Sequence, residues 1–155
     1  MTLLRRFLVI QLLMLWQGGF LFYAVFVVPV GTEVLGSSLA QGRITRVVAA
    51  SMNVIGVIAL FVFAWELLQG SATRRAIRYW LWGSWGVLAA GLIALFLLYP
   101  RLHDLVDFDG SRHLDRDRFY WFHRVYLCIS AAQWVASVVF VVVLLQAWRA
   151  DDRNQ

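Results

Sequence analysis

Residues 47–68, VVAASMNVIGVIALFVFAWELL, form an apolar stretch that contains one acidic residue and no basic one. A hydrocarbon core about 30 Å thick is crossed by about 20 helical residues, so this stretch is long enough to span a membrane. Because a backbone in lipid must satisfy its own hydrogen bonds, a spanning segment is either a helix or a barrel strand. Barrel strands alternate polar and apolar residues, and this stretch does not. It therefore predicts a transmembrane α-helix.

Three further apolar stretches have a similar length, at about residues 7–30, 79–99 and 125–148. Hydrophobic residues make up 61% of the 155 residues and charged residues 15%, whereas a soluble domain is about half apolar and about a quarter charged. The first stretch is too long for a signal peptide and no small-residue cleavage site follows it, so we expect it to be retained. The sequence predicts an all-α polytopic membrane protein. It forms one domain over residues 1–155, a bundle of four transmembrane helices with a polar loop at 100–124.

The basic residues indicate how the chain lies in the membrane. All 14 are arginines, which favours a GC-rich bacterial source. The arginines lie between the apolar stretches, where they contact lipid headgroups, and no solvated basic face indicates nucleic acid. Four spans place both termini on one side. Arginines are equally numerous on the two sides, but a pair precedes the first helix and three crowd a short loop: Arg5, Arg6, Arg74, Arg75 and Arg78. We therefore expect both termini in the cytoplasm and the chain in the inner membrane.

Polar residues within the apolar stretches predict which helix faces meet in the bundle. At 100° per residue, each stretch has one face of small or polar residues, which helix contacts in membranes favour. The residues on these faces in the first and third helices are Gln11, Gly18, Pro29, Gly86, Ala90 and Ala94. Those in the second and fourth are Ala49, Asn53, Gly56, Leu60, Ala64, His123, Tyr126, Ser130, Gln133 and Ser137.

The faces of the second and fourth helices predict a polar pocket in the half of the bundle next to the long loop. Its candidate residues are Asn53, Tyr126, Ser130, Gln133 and His123, with Glu33 at the mouth after a turn at Pro29 and Gly31. The alternative is that these groups only make interhelical hydrogen bonds, each worth about 0.6 kcal/mol. The acidic residue nearest the membrane interior, Glu66, is expected to reach the interface and pair with Arg74 or Arg75.

The polar loop carries the residue types that bind divalent metals, in the sequence RLHDLVDFDGSRHLDRDRFYWFHR at 101–124. Its His and Asp residues have no recognised metal spacing, and its arginines are suited to pair with the carboxylates. All His residues lie at one membrane edge, and the single cysteine is Cys128. We therefore expect no haem, no tightly bound metal and no other cofactor.

No nucleotide-binding loop, zinc-protease helix or serine triad is present. This favours a non-enzymatic helical bundle that acts as a scaffold, an accessory subunit or a minor transporter. One alternative is a metal- or redox-linked membrane component that uses His123 and the 100–124 loop. Another is an enzyme with its pocket at Asn53, Tyr126 and Gln133. The expected surroundings are the lipid bilayer, and association with a second copy or another membrane protein stays open.

Two short motifs resemble a known family. They are Trp16-Gln17-Gly18-Gly19 with Phe22 and Pro29 in the first helix, and Phe119, Phe122, His123 and Arg124 at the start of the fourth. The chain resembles the transmembrane-protein-205-like family, a four-helix membrane domain of unknown function. The W-x-G-G opening is also similar to the membrane domains of copper-resistance protein D. The first resemblance implies a four-helix fold without assigned catalytic residues. The second implies metal handling, although methionine-rich or paired-histidine ligands are not evident.

Overall fold

The computed structural model describes residues 2–69, 75–107 and 112–153. Four helices are long and apolar enough to cross a membrane, which makes the protein a multi-pass membrane bundle: α1 at Leu3–Leu35, α2 at Ser38–Gln69, α3 at Arg75–His103 and α4 at Arg116–Asp152. A short antiparallel hairpin lies between α3 and α4, with β1 at Val106–Asp107 and β2 at Arg112–His113. An ion pair between Arg6 and Asp152 joins the two ends of the chain. We call that end of the bundle the terminal end and the opposite one the hairpin end.

The helices run further than the apolar stretches that predicted them. Both ends of the segment 100–124, which was predicted as a loop, are helical. Helix α3 continues through Pro100 to His103, and α4 begins at Arg116. The side chain of Asp115 caps α4 by accepting a hydrogen bond from the backbone N–H of Arg118 at 3.1 Å, which satisfies a donor that the helix itself leaves free. Capping and backbone hydrogen bonds extend a helix beyond the lipid. The residues there are polar, so the length of an apolar stretch underestimates the length of the helix.

Helix α1 contains two π-helical segments, and they change which face it buries. The helix is α-helical except at Met14–Gly18 and Tyr23–Val27, where it is π-helical. A π-helical turn bonds i to i+5 and so adds one residue, which rotates everything beyond it by about 100°. The predicted inner face of Gln11, Gly18 and Pro29 is wrong, because all three residues are exposed. The residues buried instead are Val9, Trp16 and Gln17.

The turn between α1 and α2 lies further along the chain than expected. The helix continues past Pro29 and Gly31 and ends at Leu35, where Gly36 takes a left-handed conformation with φ of 62°. Glycine adopts this conformation without a Cβ penalty. Gly31 has a packing role instead, because a Cβ there would overlap the side chain of Gln41 on α2. The predicted turn at Gly31 is therefore wrong, and Gly36 makes it.

The apolar core fills the half of the bundle towards the terminal end. Phe63 of α2 and Phe140 of α4 are fully buried and stack with their ring centroids 5.0 Å apart. Gly56 gives α1 close access to α2, since a Cβ there would lie 2.7 Å from the ring of Trp16. On α3 the small-residue face was wrong: Ala90 is exposed and Gly86 has no neighbour within 4 Å of its would-be Cβ. The buried face of α3 consists of Leu81, Ser84, Leu88, Leu92, Leu95 and Leu102.

Candidate functional site

A cavity of about 430 Å³ lies at the hairpin end and is lined by all four helices and by β1. Five of the residues predicted from the sequence line it: Asn53, His123, Tyr126, Ser130 and Gln133. The helices bring them together because α2 and α4 are regular, so that residues three or four positions apart share a face. Glu33 is exposed and does not line the cavity, although its neighbour Thr32 does. The left-handed turn beyond Glu33 lies too late in the chain to aim that carboxylate inward.

Three amide side chains from three helices lie deep in this cavity: Gln17, Asn53 and Gln133. Their exposed fractions are 4%, 4% and 3%. The Gln133 side chain donates to the carbonyl oxygen of Leu88 at 2.9 Å, and the Asn53 amide lies beside the side chain of Tyr126. Within the described residues, the Gln17 amide has no hydrogen-bond partner. The three groups therefore keep hydrogen-bonding capacity directed at the cavity, and we call them the amide floor.

Gln17 was not among the residues predicted from the sequence. The predicted inner face of α1 contained its neighbour Gly18 instead, whereas the buried residues of the π-helical segment Met14–Gly18 are Trp16 and Gln17. Gln133 reaches α3 because Gly91 leaves room, since a Cβ at Gly91 would lie 2.6 Å from its Cγ. The sequence signals that could have found both contacts are a Gly-Gly pair after Trp16-Gln17 and a glycine on the helix facing Gln133.

The rim of the cavity is aromatic and basic. The His123 ring stacks on Phe119 with centroids 5.8 Å apart and an interplanar angle of 9°. On α3, His103 packs edge-on against Tyr99 at 4.3 Å, and Arg46 of α2 also lines the cavity. Among the described residues, no Asp or Glu side chain lines it. The cavity therefore presents amides at its floor, and two imidazoles and one guanidinium at its rim.

The wall between α1 and α2 is held by a chain of hydrogen bonds. The Gln41 amide nitrogen donates to the Tyr23 hydroxyl at 3.1 Å. That hydroxyl also lies 3.1 Å from the Thr45 hydroxyl, which in turn donates to the carbonyl oxygen of Gln41 at 3.0 Å. Gln41 is 2% exposed, so burying its amide without partners would be costly in an apolar setting. These polar groups satisfy one another and fix the wall that α1 contributes.

A second polar cluster lies at the terminal end, around Glu66. This carboxylate is 2% exposed, forms an ion pair with Arg5 and accepts a hydrogen bond from the indole N–H of Trp148 at 2.7 Å. The pairing predicted with Arg75 is not formed, and Arg74 lies outside the described residues. Arg6 adds to the cluster with its guanidinium 5.2 Å from the centroid of Trp148. The cluster ties α1, α2 and α4 together, and the Phe63–Phe140 layer separates it from the cavity.

Metal-ligating side chains do not cluster in the described ranges. Among residues 2–69, 75–107 and 112–153, no three His, Cys, Asp or Glu side chains are placed to hold one ion. His103 and His123 both line the cavity, and Cys128 is exposed on α4. The chemistry that the cavity offers is hydrogen bonding by amides and hydroxyls against an aromatic wall. The comparisons with known proteins give no match: no family model fits the chain, and no curated protein and no solved structure is significantly similar to it.

Proposed function

We propose that the protein is a non-enzymatic four-helix bundle that binds a membrane-soluble small molecule in the cavity at the hairpin end. The observation that carries the proposal is the cavity itself, because its volume of about 430 Å³ lies in the range of about 300–1,000 Å³ that ligand sites occupy. Its lining has the composition of such sites, mostly apolar and aromatic with a few placed polar groups. This favours an accessory subunit or a minor transporter over a scaffold.

The bundle closes one end of the cavity and leaves the other accessible. The fully buried pair Phe63 and Phe140 fills the terminal half, and the ion pair of Arg5 with Glu66 fastens α1 to α2 beyond it. A molecule therefore enters from the hairpin end or between the helices. We also retain membership in the transmembrane-protein-205-like family as part of the proposal, because Trp16 and Gln17 of the motif that suggested it line the cavity.

Filling the cavity is expected to remove the bound molecule. Ala49 lines it, so an Ala49→Trp side chain would occupy the space that a ligand needs. We expect wild-type protein, extracted in mild detergent, to retain a small molecule in native mass spectrometry and the variant to lose it. Ala132→Trp is the matched control, since Ala132 is exposed on α4 and does not line the cavity. Equal retention by both variants would contradict the proposal.

We further propose that the chain lies in the inner membrane with both termini in the cytoplasm. Arg5 and Arg6 immediately precede the first span, and the short connection to α3 is followed by Arg75 and Arg78. Basic residues beside spans favour the cytoplasmic side. Two reporter enzymes are fused after Gln155, one that is active only in the cytoplasm and one that is active only outside it. We expect only the cytoplasmic reporter to be active. A fusion that scores as external would reverse the orientation and leave the four spans unchanged.

A further inference from the structure

We infer that the molecule bound in the cavity has an uncharged head with carbonyl or hydroxyl oxygens, attached to an apolar body. This inference rests on the proposed function and adds the class of ligand. Lipid quinones and acylglycerols share this chemistry. The amide floor of Gln17, Asn53 and Gln133 binds the head, and the aromatic wall contacts the body.

The amide floor provides the hydrogen bonds. A glutamine or asparagine side chain has two donor hydrogens and one carbonyl acceptor, and Gln17 uses none of them on a described residue although it is 4% exposed. Leaving such a group unpaired in an apolar region costs free energy. The Gln17 side chain lines the cavity, so a group placed there completes its hydrogen bonding. Gln133 donates one hydrogen bond, to Leu88, and Asn53 lies beside Tyr126, so both amides have remaining hydrogen-bonding capacity.

The charges around the cavity argue that the head is neutral. No acidic side chain among the described residues lines it, so an ammonium head would meet no counter-charge and would face the guanidinium of Arg46 at the rim. An anionic head at the floor would lie among neutral amides, where a buried charge without a charged partner is costly. A carbonyl or hydroxyl head requires neither compensation and fits the donors and acceptors that are present.

The wall of the cavity suits an apolar body. Trp16, Phe20 and Tyr23 of α1 line one side, and Tyr99 and Phe119 line the other. Aromatic faces give a ring or a hydrocarbon chain a large contact area at little cost in side-chain entropy. The hydroxyl groups of Tyr23 and Tyr99 are already bonded to Thr45 and to the carbonyl oxygen of Arg46. These two hydroxyls are therefore already engaged, whereas the amide floor keeps free hydrogen-bonding capacity.

A panel of probes with the same ten-carbon chain tests the inference: decyl-benzoquinone, 1-decanoylglycerol, decylbenzene and decyltrimethylammonium. Their affinities are measured by native mass spectrometry on full-length protein in detergent. We expect at least one of the two oxygen-bearing heads to bind about tenfold more tightly than decylbenzene, as two net hydrogen bonds predict. The probe that binds more tightly, decyl-benzoquinone or 1-decanoylglycerol, shows whether the ligand is a lipid quinone or an acylglycerol. We expect decyltrimethylammonium to bind no better than decylbenzene.

Two variants attribute this preference to the floor. Gln17→Met keeps the volume of the side chain and removes its hydrogen bonds, so the preference is expected to fall about fivefold while decylbenzene binding is unchanged. Asn53→Leu gives an independent second variant. Gln11→Met is the matched control, because Gln11 is exposed on the same helix.

The outcomes separate this inference from the proposed function. If oxygen-bearing heads bind no more tightly than decylbenzene, or if their preference survives both floor variants, the inference fails and the cavity remains a binding site. Tight binding of the ammonium probe would also overturn it. If no probe binds and Ala49→Trp changes nothing, the proposed function itself fails.

Discussion

Replacing Arg5 by methionine is expected to lower the free energy of unfolding by about 3 kcal/mol. The Glu66 carboxylate is 2% exposed, and Arg5 is the cation that forms an ion pair with it. Removing one partner of a buried pair leaves the other charge without compensation, and this cost exceeds the value of the pair itself. The hydrogen bond from Trp148 at 2.7 Å remains, but it carries no full charge. The free energy of unfolding is measured by titrating a denaturing detergent into mixed micelles. The variant is expected to reach its unfolding midpoint at a lower fraction of that detergent than the wild-type protein.

The reciprocal substitution is expected to cost less. In Glu66→Leu the guanidinium of Arg5, with a side chain 17% exposed near the start of α1, can extend towards the interface and regain water. The double variant Arg5→Met with Glu66→Leu should recover most of the loss, because no charge stays buried. Arg118→Met is the control: its pair with Asp115 is largely exposed and should contribute less than about 1 kcal/mol. A double variant as unstable as Arg5→Met alone would contradict this explanation.

Hydropathy and helical periodicity predicted much of this structure. The four spans follow from length and composition alone. The inner faces of α2 and α4 follow from the 100° repeat, because both helices are regular. Asn53, Ser130 and Gln133 are accordingly all buried and line the same cavity.

The errors have local physical causes. In α1 the π-helical segments Met14–Gly18 and Tyr23–Val27 break the regular repeat, and Gln17 is buried where Gly18 was predicted to be. No rule of composition indicates where such an extra residue is inserted. The partner of Glu66 was missed for a different reason. Arg74 and Arg75 were predicted because they lie close to Glu66 in the sequence, whereas Arg5 reaches Glu66 only because α1 packs on α2. Long-range pairing of this kind depends on tertiary packing.

A second large effect is expected from labelling the protein through its own methionines. Photo-methionine, which forms a reactive carbene on illumination, can be incorporated at the natural methionine positions. Met52 lines the cavity and packs against Gly19, with its Cε 3.2 Å from the would-be Cβ. Met14 is 60% exposed on the outside of α1 and therefore contacts bulk lipid. The two residues sample the inside and the outside of the bundle in one molecule.

Illumination in native membranes, followed by digestion and mass spectrometry of the two peptides, tests whether the cavity holds a specific molecule. We expect the Met52 peptide to carry one dominant small-molecule adduct that Ala49→Trp abolishes, and the Met14 peptide to carry the mixed phospholipids of the membrane with or without that substitution. The same phospholipid mixture on both peptides, or no adduct at Met52, would contradict a binding function for the cavity.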